Sequence, residues 1–132
     1  MARVNVIEYF TIATSGNATD FGDLTSVRGS APSAVSDGIK GVLGGGQDAN
    51  GATNIIEYVN IASTGNASDF GDLTQARHGV GSCASLTRGV FAGGVSTRHN
   101  IMDFIVIASL GNAGDFGDLS AAKAGTSGAS GD

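Results

Sequence analysis

One phrase written three times constrains this chain more than any other feature. It reads Ser15-Gly16-Asn17-Ala18-Thr19-Asp20-Phe21-Gly22-Asp23-Leu24, then Thr64-Gly65-Asn66-Ala67-Ser68-Asp69-Phe70-Gly71-Asp72-Leu73, then Leu110-Gly111-Asn112-Ala113-Gly114-Asp115-Phe116-Gly117-Asp118-Leu119. From Gly16 to Gly65 is 49 residues and from Gly65 to Gly111 is 46. A recurring step of this size means stacked supersecondary units, each hiding its apolar surface against the next.

A second matched block stands upstream of each phrase, at 5–12, 54–61 and 100–107. Its β-branched and aromatic residues, bounded by Asn and Gly, predict a strand. Split by the period of two, one face carries Val6/Ile55/Ile101, Phe10/Val59/Ile105 and Ile12/Ile61/Ile107, interrupted only by the acid Glu8, Glu57 or Asp103. The other carries Ile7/Ile56/Met102 and Tyr9/Tyr58/Phe104. Two apolar faces suit a strand covered on both sides.

Gly-Asn then predicts a turn, because both residues tolerate positive φ, and the chain returns through Asp-Phe-Gly-Asp-Leu as a shorter strand. Arg28, Arg77 or Lys123 follows five residues after Asp23, Asp72 or Asp118. A base at a fixed offset from an acid predicts a repeated local ion pair or carbonyl contact, so these six, with Asp20, Asp69 and Asp115, are candidate residues of the structural repeat. Next come runs of small residues, 29–36 and 78–85, suited to strands that crowd around an axis, and then 41–46 and 89–94, ending in a glycine pair. Each unit is therefore predicted as four antiparallel strands: A (small residues), B (to the glycine pair), C (Asn to Ile) and D (Asp-Phe-Gly-Asp-Leu).

The order of glycine pair, Tyr, aromatic, Leu and Arg resembles a kelch repeat, whose period of about 50 residues it also approaches. The resemblance covers most of the chain in a diverged form: Phe21, Phe70 and Phe116 stand where kelch repeats usually carry Trp, and the C-to-D connection is longer. The wording Gly-Asn-Ala-x-Asp-Phe-Gly-Asp-Leu also resembles repeats in virion-associated proteins of tailed phages, especially those of marine cyanobacteria. The resemblance implies an all-β, kelch-like β-propeller of four-stranded antiparallel blades.

The repeats are cut out of phase. Residues 4–24 supply C and D, 28–73 a whole blade, 77–119 another, and 124–132 only an A-like run, so the expected count is 11 strands and about three blades. Propellers close with typically 4 to 8 blades. One chain, 1–132, is then half a propeller, and two copies would close six blades as a homodimer, with no strand B for the junction blade.

Net charge −5, from 12 acids against 7 Lys and Arg, offers no basic stripe for nucleic acid and no attraction to an anionic membrane. No apolar run approaches the roughly 20 residues of a membrane helix, and the first residues lack a signal-peptide core. The expected location is a virion or a host cytoplasm. The 22 glycines show no triplet period, which excludes collagen. Cys83, alone, cannot form an intrachain disulfide and is expected to be a buried, inert thiol.

No catalytic set is expected and no cofactor. Asp-Phe-Gly lacks the rest of a kinase signature, the glycines at 41–46 are followed by no Gly-Lys-Ser/Thr, and His78 and His99, read as surface or loop residues, have no partners at metal spacing. Two acids per turn fall short of a calcium shell. The B-to-C loops differ in length and polarity, so ligand binding, if present, is expected at Asp48, Asn50, Arg98 and His99. The expected function is a non-enzymatic structural or interaction propeller of a phage particle, meeting itself and other virion proteins; the alternative is a lectin-like propeller that takes cell-surface glycans.

Overall fold

The computed structural model describes residues 3–30 and 32–130, and among these it is all-β with no helix. No helix is therefore long and apolar enough to cross a membrane. Strands β1 (Val4–Tyr9) and β2 (Thr19–Arg28) form a two-stranded sheet. Strands β3 (Ser33–Ser36), β4 (Lys40–Gly44), β7 (Ile55–Asn60) and β8 (Ser68–Asp72) form a four-stranded sheet in that order, and β5 (Gln47–Asp48) and β6 (Gly51–Ala52) make a small hairpin between β4 and β7. Strands β9 (Gly81–Ala84), β10 (Arg88–Ala92), β11 (His99–Val106) and β12 (Gly114–Lys123) repeat the four-stranded sheet. Every pairing is antiparallel.

The A-B-C-D order expected for a unit is thus the order of both larger sheets. The strand count among the described residues differs, twelve against eleven: the loop 47–53 adds the two strands of its own hairpin, and the expected terminal strand A is lost. The run 124–130 forms no strand. It lies along β9, where Thr126 Oγ1 accepts from the Gly81 N–H at 2.7 Å and Ser130 Oγ from the Ala84 N–H at 2.7 Å. Strand D is not uniformly short: β2 and β12 reach Arg28 and Lys123, which pair with Val4 and His99 beyond a second register shift.

The phrase Asp-Phe-Gly proves to be a β-bulge. Ile7 opposes Gly22 and Glu8 opposes Asp20; Ile56 opposes Gly71 and Glu57 opposes Asp69; Met102 opposes Gly117 and Asp103 opposes Asp115. Each register step skips the Phe, so two residues of strand D face one of strand C, which bends the strand and re-aims its neighbours. The extra ring meets the aromatic of strand C edge-on, with centroids 6.0 Å apart for Tyr9–Phe21 and 6.2 Å for Tyr58–Phe70 and Phe104–Phe116.

The core lies between the two four-stranded sheets. Val35, Val42, Ile56, Phe70 and Leu73 come from one, and Val80, Phe91, Ile105 and Ile107 from the other. Strands β3 and β9 lie side by side: the Ser33 hydroxyl donates to Ser82 Oγ and the Ser82 hydroxyl to the Ala34 carbonyl, each at 2.7 Å. A side chain on Gly89 would meet Val35, and one on Gly44 would meet the Phe91 ring. Small residues stand here because the neighbouring sheet occupies the space.

Candidate functional site

The recurring polar residues converge on the seams between successive copies, and the strand-C acid is the centre of each seam. Glu57 Oε2 accepts from the Thr25 N–H and hydroxyl, both at 2.7 Å, while Oε1 accepts from Arg28 at 2.8 Å. At the next seam Asp103 Oδ2 accepts from the Thr74 N–H at 3.0 Å and pairs with Arg77 at 3.1 Å, and Oδ1 accepts from the Thr74 hydroxyl at 2.6 Å. The acid belongs to strand C of one copy; the Thr follows the phrase of the copy before it, and the Arg stands at the junction, at the end of β2 for Arg28 and between β8 and β9 for Arg77.

Both ion pairs are withdrawn from water. Arg77 also donates to the Phe91 carbonyl at 3.2 Å, yet its Nε and Nη1 have no partner among the described residues. Burial pushes the Arg77 guanidinium below its usual pKa, and the charge of Asp103 acts against that shift. The expected local ion pair of the base with the phrase's own Asp is therefore corrected at Arg28 and Arg77, while the expected carbonyl contact is made by Arg77. Asp23, Asp72 and Asp118 lie at the strand-D edge, whereas the carboxylate that meets Arg28 or Arg77 comes from strand C of the following copy.

Gly-Asn-Ala forms the second half of the seam. The Gly65 N–H donates to the Phe21 carbonyl at 2.7 Å, the Ala67 N–H to the Asp23 carbonyl at 2.8 Å, and the Asp23 N–H to Asn66 Oδ1 at 3.0 Å. The same three bonds recur one copy on: Gly111 to Phe70 at 2.8 Å, Ala113 to Asp72 at 2.8 Å, and Asp72 to Asn112 Oδ1 at 3.0 Å. One end of the phrase thus docks on the other end of the preceding copy. A Cβ on Gly22 or Gly71 would run into the docked glycine's carbonyl, and φ of +150° and +148° there favours glycine independently. The Asn residues of the phrase do not take positive φ, contrary to the expected turn; Asn66 and Asn112 extend their amides to the neighbouring edge instead.

The loop candidates are dispersed in role. Asp48 Oδ1 accepts from the Asn50 N–H at 2.7 Å and so closes its own turn, with Asn50 exposed. Arg98 is exposed beside a groove of about 630 Å³ that Ala92, Leu119 and Lys123 also line. His99 is not a surface residue: it is buried in β11, its Nε2 3.1 Å from Ser96 Oγ. His78 is half-buried, and its backbone bridges to Val95. Cys83 is half-buried rather than buried, because it lies on β9 beside the irregular run 126–130. Asp20, Asp69 and Asp115 are exposed, and Asp115 Oδ1 accepts from the Gly117 N–H at 3.0 Å.

Thr25, Thr74, Asn66 and Asn112 carry the seams, and sequence reasoning left their roles unread. The available signal was a hydroxyl directly behind the phrase's Leu in every copy, Thr25, Thr74 and Ser120, and an acid at one place in every strand C. No protein-family model matches the chain, and no curated protein matches it.

Proposed function

We propose that this chain is a non-enzymatic structural module, a kelch-like propeller segment of about three blades that serves in the tail or capsid periphery of a phage particle. The observation that carries the reading is the use of the recurring charged residues. Glu57, Arg28, Asp103 and Arg77 are spent on joining one copy to the next and are closed off from solvent. Charge buried in that way holds a scaffold together and is withheld from a substrate. Further support comes from the two sheets of identical strand order packed face to face, and the particle setting rests on the phage-like wording of the phrase.

Mass spectrometry of purified particles of a tailed phage that encodes the sequence tests this reading. The chain is expected in the particles at a fixed ratio to the other virion proteins. Its recovery only from the lysate, with none in the particles, overturns the proposal.

A further inference from the structure

Both internal seams have the same donor and acceptor halves, and the chain carries one further half of each kind. The receiving half is Phe116-Gly117-Asp118 with Ser120 and Lys123, on the outer edge of β12. Gly22 and Gly71 are crowded by a docked glycine carbonyl, whereas a Cβ on Gly117 would meet only the Met102 methyl, at 3.8 Å. Phe116 is 47% exposed, where its counterpart Phe70 is 3% exposed. Ser120 and Lys123 stand where Thr25 with Arg28, and Thr74 with Arg77, hold a carboxylate; both are exposed.

The docking half is Gly16-Asn17-Ala18 with the face of β1. Ala18 is exposed where its counterparts Ala67 and Ala113 are half-buried, and Gly16, Asn17 and Ala18 make none of the inter-copy bonds of their counterparts among the described residues. Glu8 follows the bulge as Glu57 and Asp103 do, and it too is exposed. Phe10 and Ile12, 68% and 92% exposed, correspond to Ile105 and Ile107 at 2% and 0%. An apolar stripe around a carboxylate is thus left open at one end, and a cation, a hydroxyl and an unpaired strand edge are left open at the other.

We infer that the occupant is a second copy of this chain, docked head to tail. Asn17 Oδ1 of one copy accepts from the Asp118 N–H of the other, Gly16 and Ala18 donate to the Phe116 and Asp118 carbonyls, and Glu8 takes Ser120 and Lys123. The warrant is continuity: the same contacts are made twice within the chain, by the same residue types in the same order, and the charges of the open halves are opposite. Such a contact is heterologous, so it closes into a ring or propagates. Either way it covers the open edge of β12, which is otherwise a template for uncontrolled pairing. Only the expectation of closure at two copies rests on the propeller reading; the junction itself does not.

Sedimentation of the full chain over a range of concentrations tests the junction. The expected species is twice the 13.0 kDa chain mass. Glu8→Lys places two cations face to face and is expected to weaken self-association about 30-fold or more, as losing a desolvated charge partner does. Adding Lys123→Glu to Glu8→Lys restores the opposite charges and is expected to restore the assembly, while circular dichroism of both variants stays that of the parent. Larger multiples of the mass that dissolve in Glu8→Lys and return in the double variant support the junction and break the two-copy ring. A parent chain that stays at 13.0 kDa throughout, or an assembly indifferent to Glu8→Lys, overturns the inference.

Discussion

At the first seam Arg28 and Glu57 meet at 2.8 Å, and at the second Arg77 and Asp103 meet at 3.1 Å, each pair completed by a Thr N–H and hydroxyl. The polar chemistry is the same, yet Phe70 and Leu73 are buried while their counterparts Phe21 and Leu24 are only half-buried. The copy before the first seam has strands C and D alone; the copy before the second has all four strands. All nine residues of the core cluster sit on, or one residue beyond, the strands of the two four-stranded sheets that flank the second seam. Ion pair and edge bonds therefore set the register between copies, and strands A and B supply the apolar cover that buries the Phe and Leu of the phrase.

The sharpest way to break this comparison is to remove the acids one at a time and follow urea unfolding at protein concentrations where the chain is dispersed. Asp103→Ala strands the buried Arg77 guanidinium and is expected to cost about 3 to 5 kcal/mol, with most of the loss recovered when Arg77→Met and Asp103→Leu are combined. Glu57→Ala is expected to cost about 3 kcal/mol or less, since the first seam has less apolar cover and Arg28 keeps Ser26 Oγ at 2.7 Å, closer than the Phe91 carbonyl that Arg77 keeps at 3.2 Å. Equal losses at the two sites would mean that the apolar cover is not what separates them.

The bulge aromatics sharpen the same point. Phe70→Ala opens the packed core and is expected to cost about 3 to 5 kcal/mol, whereas Phe116→Ala in the dispersed chain is expected to stay within about 0.5 kcal/mol. Comparable losses, read from the unfolding midpoints, would contradict the open state of the β12 edge. Gly71→Ala and Gly117→Ala share the strain of positive φ, so the excess cost at Gly71, about 1 to 3 kcal/mol, reports the docked glycine carbonyl. The smallest effect is expected at the edge amides: Asn112→Ala loses one exposed hydrogen bond, about 0.5 to 1 kcal/mol, and Asn17→Ala leaves the dispersed chain unchanged. A clear destabilisation by Asn17→Ala would show that this amide has an internal partner.

The four-strand units were legible because strand C repeats its alternation three times and glycine pairs punctuate it at a constant place. The two-residue hairpin at 47–53 was not, since its Gln47-Asp48 and Gly51-Ala52 arms are too short to show any period. The pairing of base with acid was misread for a different reason. Asp23 is the nearer acid to Arg28 in sequence, but a strand holds residues five apart well separated, and the facing copy brings Glu57 across a gap of 29 residues.

The recurrence of Gly-Asn-Ala-x-Asp-Phe-Gly-Asp-Leu by itself determined that this protein is built from equal β units, because a local pattern of alternation, turn and glycine is enough to specify strands and their order. What those residues do for one another was decided only by the tertiary structure. The bulge that skips each Phe arises where strands C and D of one copy pair, and the Asn amide that reaches the next edge and the buried carboxylate between Thr and Arg arise from contacts between copies. Spacing along a chain carries no record of which face meets which; apolar packing between the two four-stranded sheets makes that choice, and the polar seams follow it.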